Sequence, residues 1–346
     1  MFTQALLLCS EAGLVKLGHV SIDGTKIKAN ASKHKAMSYK RMNETEARLQ
    51  QEIDALLAAA EKTDAEEDAQ YGKDRHGDEL PAELQRRESR LQKIAQAKAA
   101  LEQEAKEKAA QQSAETEQKL VEREEEEQRT GKKKGGRKPE LRDPDQVKPD
   151  DTAQRNFTDP ESRIMPDGAN KGSFVQGYNA QIAVDSASQV IVAAEVTQET
   201  NDKKQLLPMI ARIAANLERK PEKVSADTGY FSEANVTDEL VKDVDLYVAT
   251  GRDKHGGAVE TSSDPPPADA SPKEAMRHKL RTEAGRAVYK MRKAIVEPVF
   301  GQIKEQRGFR RFSLRGKENV SREWKLVCAT SNLLKLFRAG WVLEMA

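Results

Sequence analysis

Apolar residues along this chain follow three spacings, and each spacing predicts a different element. Within residues 3–17, Ala5, Leu6, Cys9, Ala12 and Leu17 fall near one face of a short helix that Gly18 stops. HVSID then alternates apolar and polar positions up to Asp23-Gly24, a pair typical of turns, which predicts a strand with Asp23 at its carboxyl end. From Glu44 to about Arg129 apolar positions thin out among Glu, Gln, Lys and Ala. The break YGKDRHGDELP divides that stretch into two long helices forming an antiparallel hairpin, the second over about 81–128. Leu84, Leu91, Ile94, Ala95, Lys98 and Leu101 give this second helix a narrow seam, and EREEEEQ beyond it has no apolar face. The hairpin is either a coiled-coil arm for dimerisation or DNA contact, or an acidic spacer.

Residues 131–151 are rich in Gly, Pro and charge and read as a linker, in which KKKGGRKP is either a groove-lying DNA contact or a plain solvated connection. The pattern then turns to β. FVQGYNAQIAVD and QVIVAAEVTQ, separated by SAS, predict a hairpin. A helix follows with Leu206, Ile210, Ile213 and Leu217 on one stripe, then the strand KVSAD, the helix EANVTDELVKD, the strand LYVAT, a long loop from Gly251, and a basic helical region over about 274–337. This order predicts an α/β fold with a mixed sheet flanked by helices. It is the element order of an RNase H-like domain with a long helical hairpin inserted. The boundaries expected are 1–43 for the start of that domain, 44–130 for the insertion, 131–151 for the linker and 152–346 for the remainder.

Composition sharpens the division. A mean hydropathy of −0.78 and 33% charged residues are too polar for one compact globule throughout. The net charge of +1 conceals a segregation: residues 44–128 carry 24 acidic and 13 basic side chains, and residues 273–325 carry 6 acidic and 16 basic. The second stretch has the charge density of a phosphate-backbone binder, although a solvated helical face is the commoner origin of such runs. No apolar run is long enough to span a membrane. The opening segment lacks the basic flank of a secretory signal, and two cysteines fit a reducing cytoplasm better than a disulfide framework. Five scattered histidines show no zinc spacing, and no nucleophile elbow or phosphate-binding loop occurs.

Three acids stand out. Asp23 and Asp227 each follow an apolar strand and precede Gly or Thr-Gly, where a loop can turn away and leave the carboxylate open; a turn role is the structural alternative for each. Glu297 shares a helix face with Lys293 and Lys304 inside the basic stretch, where a salt-bridge ladder is the alternative, and Pro298 predicts a kink or helix start there. A few converging carboxylates suffice for Mg²⁺, which binds oxygen at ~2.0–2.1 Å and keeps several waters. Asp185, Asp167 and Asp202 have adequate readings as hairpin-turn, turn and helix-start residues.

SIDGTKIKANASKHKAMSYKRM, NFTDPESRIM, KGSFVQGYNAQIAVD, ADTGYFSEAN, ATGRDKHG and RKAIVEPVFGQIKEQRGFRRF together resemble bacterial insertion-sequence transposases of the DDE type, in the subgroup with a helical insertion after the first aspartate. The resemblance implies an RNase H-like catalytic domain with Asp23, Asp227 and Glu297 as catalytic and metal-holding acids for two Mg²⁺ or Mn²⁺ ions. It further implies cleavage and strand transfer at transposon ends, double-stranded DNA as partner, a homodimer on DNA, and a cytoplasmic, nucleoid-associated location without membrane contact. DNA contacts are expected from Lys26, Lys28, Tyr230, Tyr289, Arg292, Lys293, Lys304, Arg307, Arg310 and Arg311. The Tyr-Arg-Glu-Lys signature departs from the family spacing by one residue between Arg292 and Glu297, so either Arg292 or Lys293 takes the basic role. Only 22 residues precede Asp23, where the subgroup carries a helix-turn-helix-like region, so an N-terminally truncated fragment is expected. A metal-dependent endonuclease and an inactive DNA-binding or coiled-coil fragment are the alternatives.

Overall fold

In a computed structural model, residues 1–71, 82–131, 138, 141, 143–167, 172–251, 265–266 and 269–340 are described. They form two compact units, one of residues 1–33 and 161–346, the other of residues 34–160.

The first unit is built on a six-stranded sheet. β1 (Val20–Lys28) lies between β5 (Phe174–Asp185), to which it is antiparallel, and β7 (Lys223–Ala226), to which it is parallel. β8 (Asp245–Val248) extends the parallel side. On the far side of β5, β4 (Arg163–Pro166) pairs with its first residues and β6 (Ile191–Thr197) with its later ones, both antiparallel. A hairpin leading into a central strand and then two parallel strands is the RNase H-like arrangement. β5 and β6 are buried nearly throughout, which is why they read as apolar runs.

Helices cover the sheet by the stripes their sequences carry. α4 (Leu206–Leu217) buries Leu206, Met209, Ile210 and Ile213, each contributing about 1.5–3 kcal/mol by leaving water. α8 (Lys317–Arg338) packs against β6 and is pinned by two polar anchors. Trp324 Nε1 donates to Gln181 O at 3.1 Å, and the Asn332 amide bonds both backbone groups of Ile191 at 2.8 Å. α7 (Glu283–Gly301) contains Pro298, whose missing N–H leaves the Ala294 carbonyl without its helical donor; Gln189 Nε2 donates to it instead at 3.0 Å. α6 (Pro272–Arg281) precedes it with a full capping box between Ser271 and Glu274.

The second unit holds α2 (Tyr39–Tyr71), α3 (Ala82–Thr130) and a two-stranded ribbon of β2 (Ala36–Ser38) with β3 (Gln154–Asn156). Tyr39, Met42, Leu49, Ile94, Ala97 and Leu101 form its small core, so the seam uses Ala97 where Ala95 was expected. Ion pairs reinforce it: Lys98 with Glu46 at 2.8 Å and Arg87 with Glu52 at 2.9 Å. The expected break between the helices lies outside the described residues, as does KKKGGRKP apart from Lys138.

Several expectations need correction. Asp23-Gly24 is not a turn: β1 continues through it to Lys28, held by pairing to β5 along its full length. The first helix, α1, is Phe2–Glu11 and ends before Gly13, which has φ +72. The helix expected over EANVTDELVKD is split into α5 (Glu233–Thr237) and a 3₁₀ turn, because the Asp238 side chain accepts from Leu240 N and starts a new cap. β2, β3 and β4 were too short to leave a periodic signal. Among the described residues, no helix is long and apolar enough to cross a membrane.

Candidate active site

Strand register brings the first two acids together. Ile22 pairs with Ala226 across the parallel strands, so the next residues lie side by side, Asp23 within β1 and Asp227 just past the end of β7. Asp227 also begins a 3₁₀ turn, its Oδ1 accepting from Gly229 N at 2.8 Å. Asp23 accepts from its neighbour Gly24 N at 2.8 Å and faces the Arg292 guanidinium at 3.6 Å. Burial pushes the Asp23 carboxyl up to about 6; Arg292 and the Gly24 amide pull it down, and the Asp227 and Asp202 carboxylates push it further up.

Arg292 is 91% buried, and its Nε has no hydrogen-bond partner among the described residues. Its guanidinium lies 5.7 Å from the Tyr289 ring centroid. Burial raises the Tyr289 hydroxyl pKa, and Arg292 opposes that rise. Lys293, the alternative basic residue, is exposed, so Arg292 is the cation aimed at Asp23. Lys304 donates to Thr25 Oγ1 from the π turn that extends α7, and burial lowers its pKa.

Asp202 is the residue the sequence did not single out. Its Oδ1 accepts from Asn179 Nδ2 and Gln181 Nε2, both at 2.7 Å, and lies 3.7 Å from Lys26 Nζ. Gly24 makes this network possible: a Cβ there would lie 2.2 Å from Gln181 Nε2 and 2.8 Å from Asp202 Oδ1. Gln181 Oε1 accepts from the Tyr230 hydroxyl. Tyr230 is fully buried, which corrects its expected role as a DNA contact to one of fixing Gln181. A signal was available: Asn179 and Gln181 put two amides on one face of a buried strand, and buried amides need partners.

Glu297 lies exposed on α7 and is not among the charges acting on Asp23. Among the described residues, no group of three or more His, Cys, Asp and Glu side chains is arranged to hold a metal ion. The assembled part of the site is therefore the aspartate pair. The remaining expected DNA contacts divide. Lys28, Arg310 and Arg311 are exposed, Arg310 pairing with Glu305 and Arg311 with Asn30 at 3.0 Å. Arg307 is spent on α8, donating to Val327 O, Ser331 Oγ and Thr330 Oγ1.

The family model described as the Transposase DDE domain matches residues 148–333, more than half of the chain. The chain belongs to the DDE transposase family. The match covers Asp202, Asp227 and Glu297, while Asp23 lies ahead of it on the strand before the insertion, rejoined to this DDE domain by pairing with β5 and β7. Comparison with curated proteins finds no match, and comparison with solved structures finds none. The donor chemistry of this candidate site fits a divalent cation: two adjacent carboxylates, one pushed up by burial and by its acidic neighbours, are the arrangement a hard cation relieves.

Proposed function

We propose that this chain is an insertion-sequence transposase that cuts DNA at the ends of its element and joins the freed 3′-hydroxyl to target DNA. The observation that carries this reading is the pairing register that sets Asp23 beside Asp227 within a DDE transposase domain. Asp23 and Asp227 would hold two Mg²⁺ or Mn²⁺ ions, and Glu297 would complete their ligand set. When bound, the ions supply water activation and stabilisation of the leaving oxygen.

The chain's own groups do the rest. Arg292 fixes the rotamer of Asp23, and Asp202, through Asn179, Gln181 and Lys26, fixes the strand segment on which Asp23 sits. Glu297 comes from the irregular end of α7, immediately before Pro298 and one turn ahead of the π turn, where a helix can shift its register at low cost. Lys293, Lys28 and Arg311 face the phosphate backbone. In the first step a water oxygen bonds to phosphorus and the bond to the 3′-oxygen breaks, leaving a 3′-hydroxyl and a 5′-phosphate. In the second, that 3′-oxygen bonds to a target phosphorus, and the target's own 3′-oxygen leaves and takes up a proton.

The test is a strand-transfer assay on duplexes bearing the ends of the DNA element that encodes the chain. Joined products that need Mg²⁺ or Mn²⁺, and that disappear in Asp23→Asn, Asp227→Asn and Glu297→Gln while DNA binding persists, support the reading. Cleavage without joining would make the chain an endonuclease, and unchanged cleavage by Asp227→Asn would remove the proposed site.

A further inference from the structure

We propose that the inserted unit carries its own binding site for the DNA phosphate backbone, in a cleft at the foot of the helical hairpin. The inference rests on DNA being the substrate and concerns a surface separate from the aspartate pair. The cleft has a volume of about 590 Å³, and its walls come from three places: Lys35 beside β2, Arg41 on α2, and Arg90 and Lys93 on α3, with His34 at its rim and Phe157 as an apolar wall. Among the described residues, no Asp or Glu lines it.

The charge pattern of the unit makes this cleft unusual. Residues 44–128 carry 24 acidic and 13 basic side chains, so a cation here has many carboxylates to choose from. Arg48, Arg87, Lys98, Lys106, Arg123 and Arg155 each have one within ion-pair distance. Lys35, Arg41, Arg90 and Lys93 are exposed and make no ion pair among the described residues. Four unneutralised cations around one concavity, in an otherwise acidic unit, are the local field an anion relieves.

The walls are fixed before any ligand arrives. Phe157 N donates to Lys35 O at 3.0 Å and Tyr39 N to Ala153 O at 2.8 Å, tying both sides of the cleft to the β2–β3 ribbon. Along α3 the cations continue: a shallow groove lined by Gln85, Arg86, Ser89, Arg90 and Lys93 opens beside the cleft. Arg86, Arg90 and Lys93 stand at four- and seven-residue intervals and so share one helix face. Their span of about 10 Å at 1.5 Å per residue is long enough to follow about three phosphates of one strand, spaced ~3.4 Å along the duplex axis. Lys and Arg contacts to phosphate oxygens position a duplex without reading its sequence, so the expected contact is sequence-independent.

The experiment measures binding of the full chain to a fluorescent random-sequence duplex in EDTA, where cleavage cannot occur, across a salt series. Arg90→Ala/Lys93→Ala and Lys35→Ala/Arg41→Ala should each bind at least about tenfold more weakly near 0.1 M salt and lower the log–log salt slope by about 2, at 0.9 per lost phosphate contact. Arg48→Ala, an ion-paired cation of the same unit, should leave both unchanged. Circular dichroism and melting temperature should match wild type, since the mutated side chains are exposed. Wild-type affinity and slope in both double variants would overturn the inference while leaving the aspartate site standing. Loss of self-association in place of DNA affinity, seen by sedimentation, would instead assign the cleft to the acidic arm of a second copy. A wild-type chain that binds no duplex would overturn both this inference and the transposase reading.

Discussion

Asp23→Asn should make the metal-free protein more stable at neutral and alkaline pH while abolishing its chemistry. The fold holds this carboxyl at about 6, against an ordinary value of 3.8, because burial and the Asp227 and Asp202 charges disfavour ionisation more than Arg292 and the Gly24 amide favour it. Between those two values the folded state binds more protons than the unfolded one, so stability falls as pH rises from about 4 to about 6 and stays reduced above. The difference corresponds to about 3 kcal/mol. Asparagine resembles the protonated acid in shape and keeps an acceptor for Gly24 N, so the variant avoids that loss. In EDTA at pH 8 its melting temperature should exceed wild type by on the order of 6–12 °C, at about 2–4 °C per kcal/mol for a domain of this size. The gain should shrink to nothing near pH 4. Scanning fluorimetry on both proteins from pH 4 to 8 reads the whole curve. A variant that melts below wild type at pH 8, or a gain that does not change with pH, would refute the placement of Asp23 in a buried acidic cluster.

Other outcomes follow from particular contacts. Gly24→Ala should cost about 1–3 kcal/mol, since its Cβ must displace Gln181 and Asp202, and urea melts will register it. Asp202→Ala should cost a similar amount by removing an acceptor from each of the Asn179 and Gln181 amides, and Asp202→Asn should lower strand transfer while leaving random-duplex binding unchanged. Arg307→Ala should lower the melting temperature with little effect on DNA affinity, because its guanidinium serves α8, whereas Lys293→Ala should do the reverse and reduce the salt slope by about 1.

Much of the sheet-bearing unit was legible because its strands carry strong signals. β5 and β6 are long β-branched runs, α4 has one apolar stripe, and KVSAD ends in aspartate at its strand terminus. What escaped has a common physical cause: the decisive partner is distant in sequence. Asp-Gly is a turn signal locally, but nine residues of pairing with β5 hold Asp23-Gly24 in a strand, and only the facing Gln181 and Asp202 explain why glycine is needed there. Asp202 looked like a helix-start residue because its amide partners lie 21 and 23 residues away. The choice between Arg292 and Lys293 needed the helix orientation, which burial of Arg292 supplies. Tyr230 and Arg307 read as DNA contacts by residue type, but Tyr230 is buried against Gln181 and Arg307, though exposed, is hydrogen-bonded to α8.

Anomalous scattering from a crystal of the chain bound to Mn²⁺ and a precleaved duplex addresses the site itself. Manganese peaks ligated by Asp23 and Asp227 at about 2.0–2.2 Å, with Glu297 drawn in from α7, are the predicted result. Peaks held elsewhere, or none at the Asp23–Asp227 pair in crystals that contain the duplex, would contradict it.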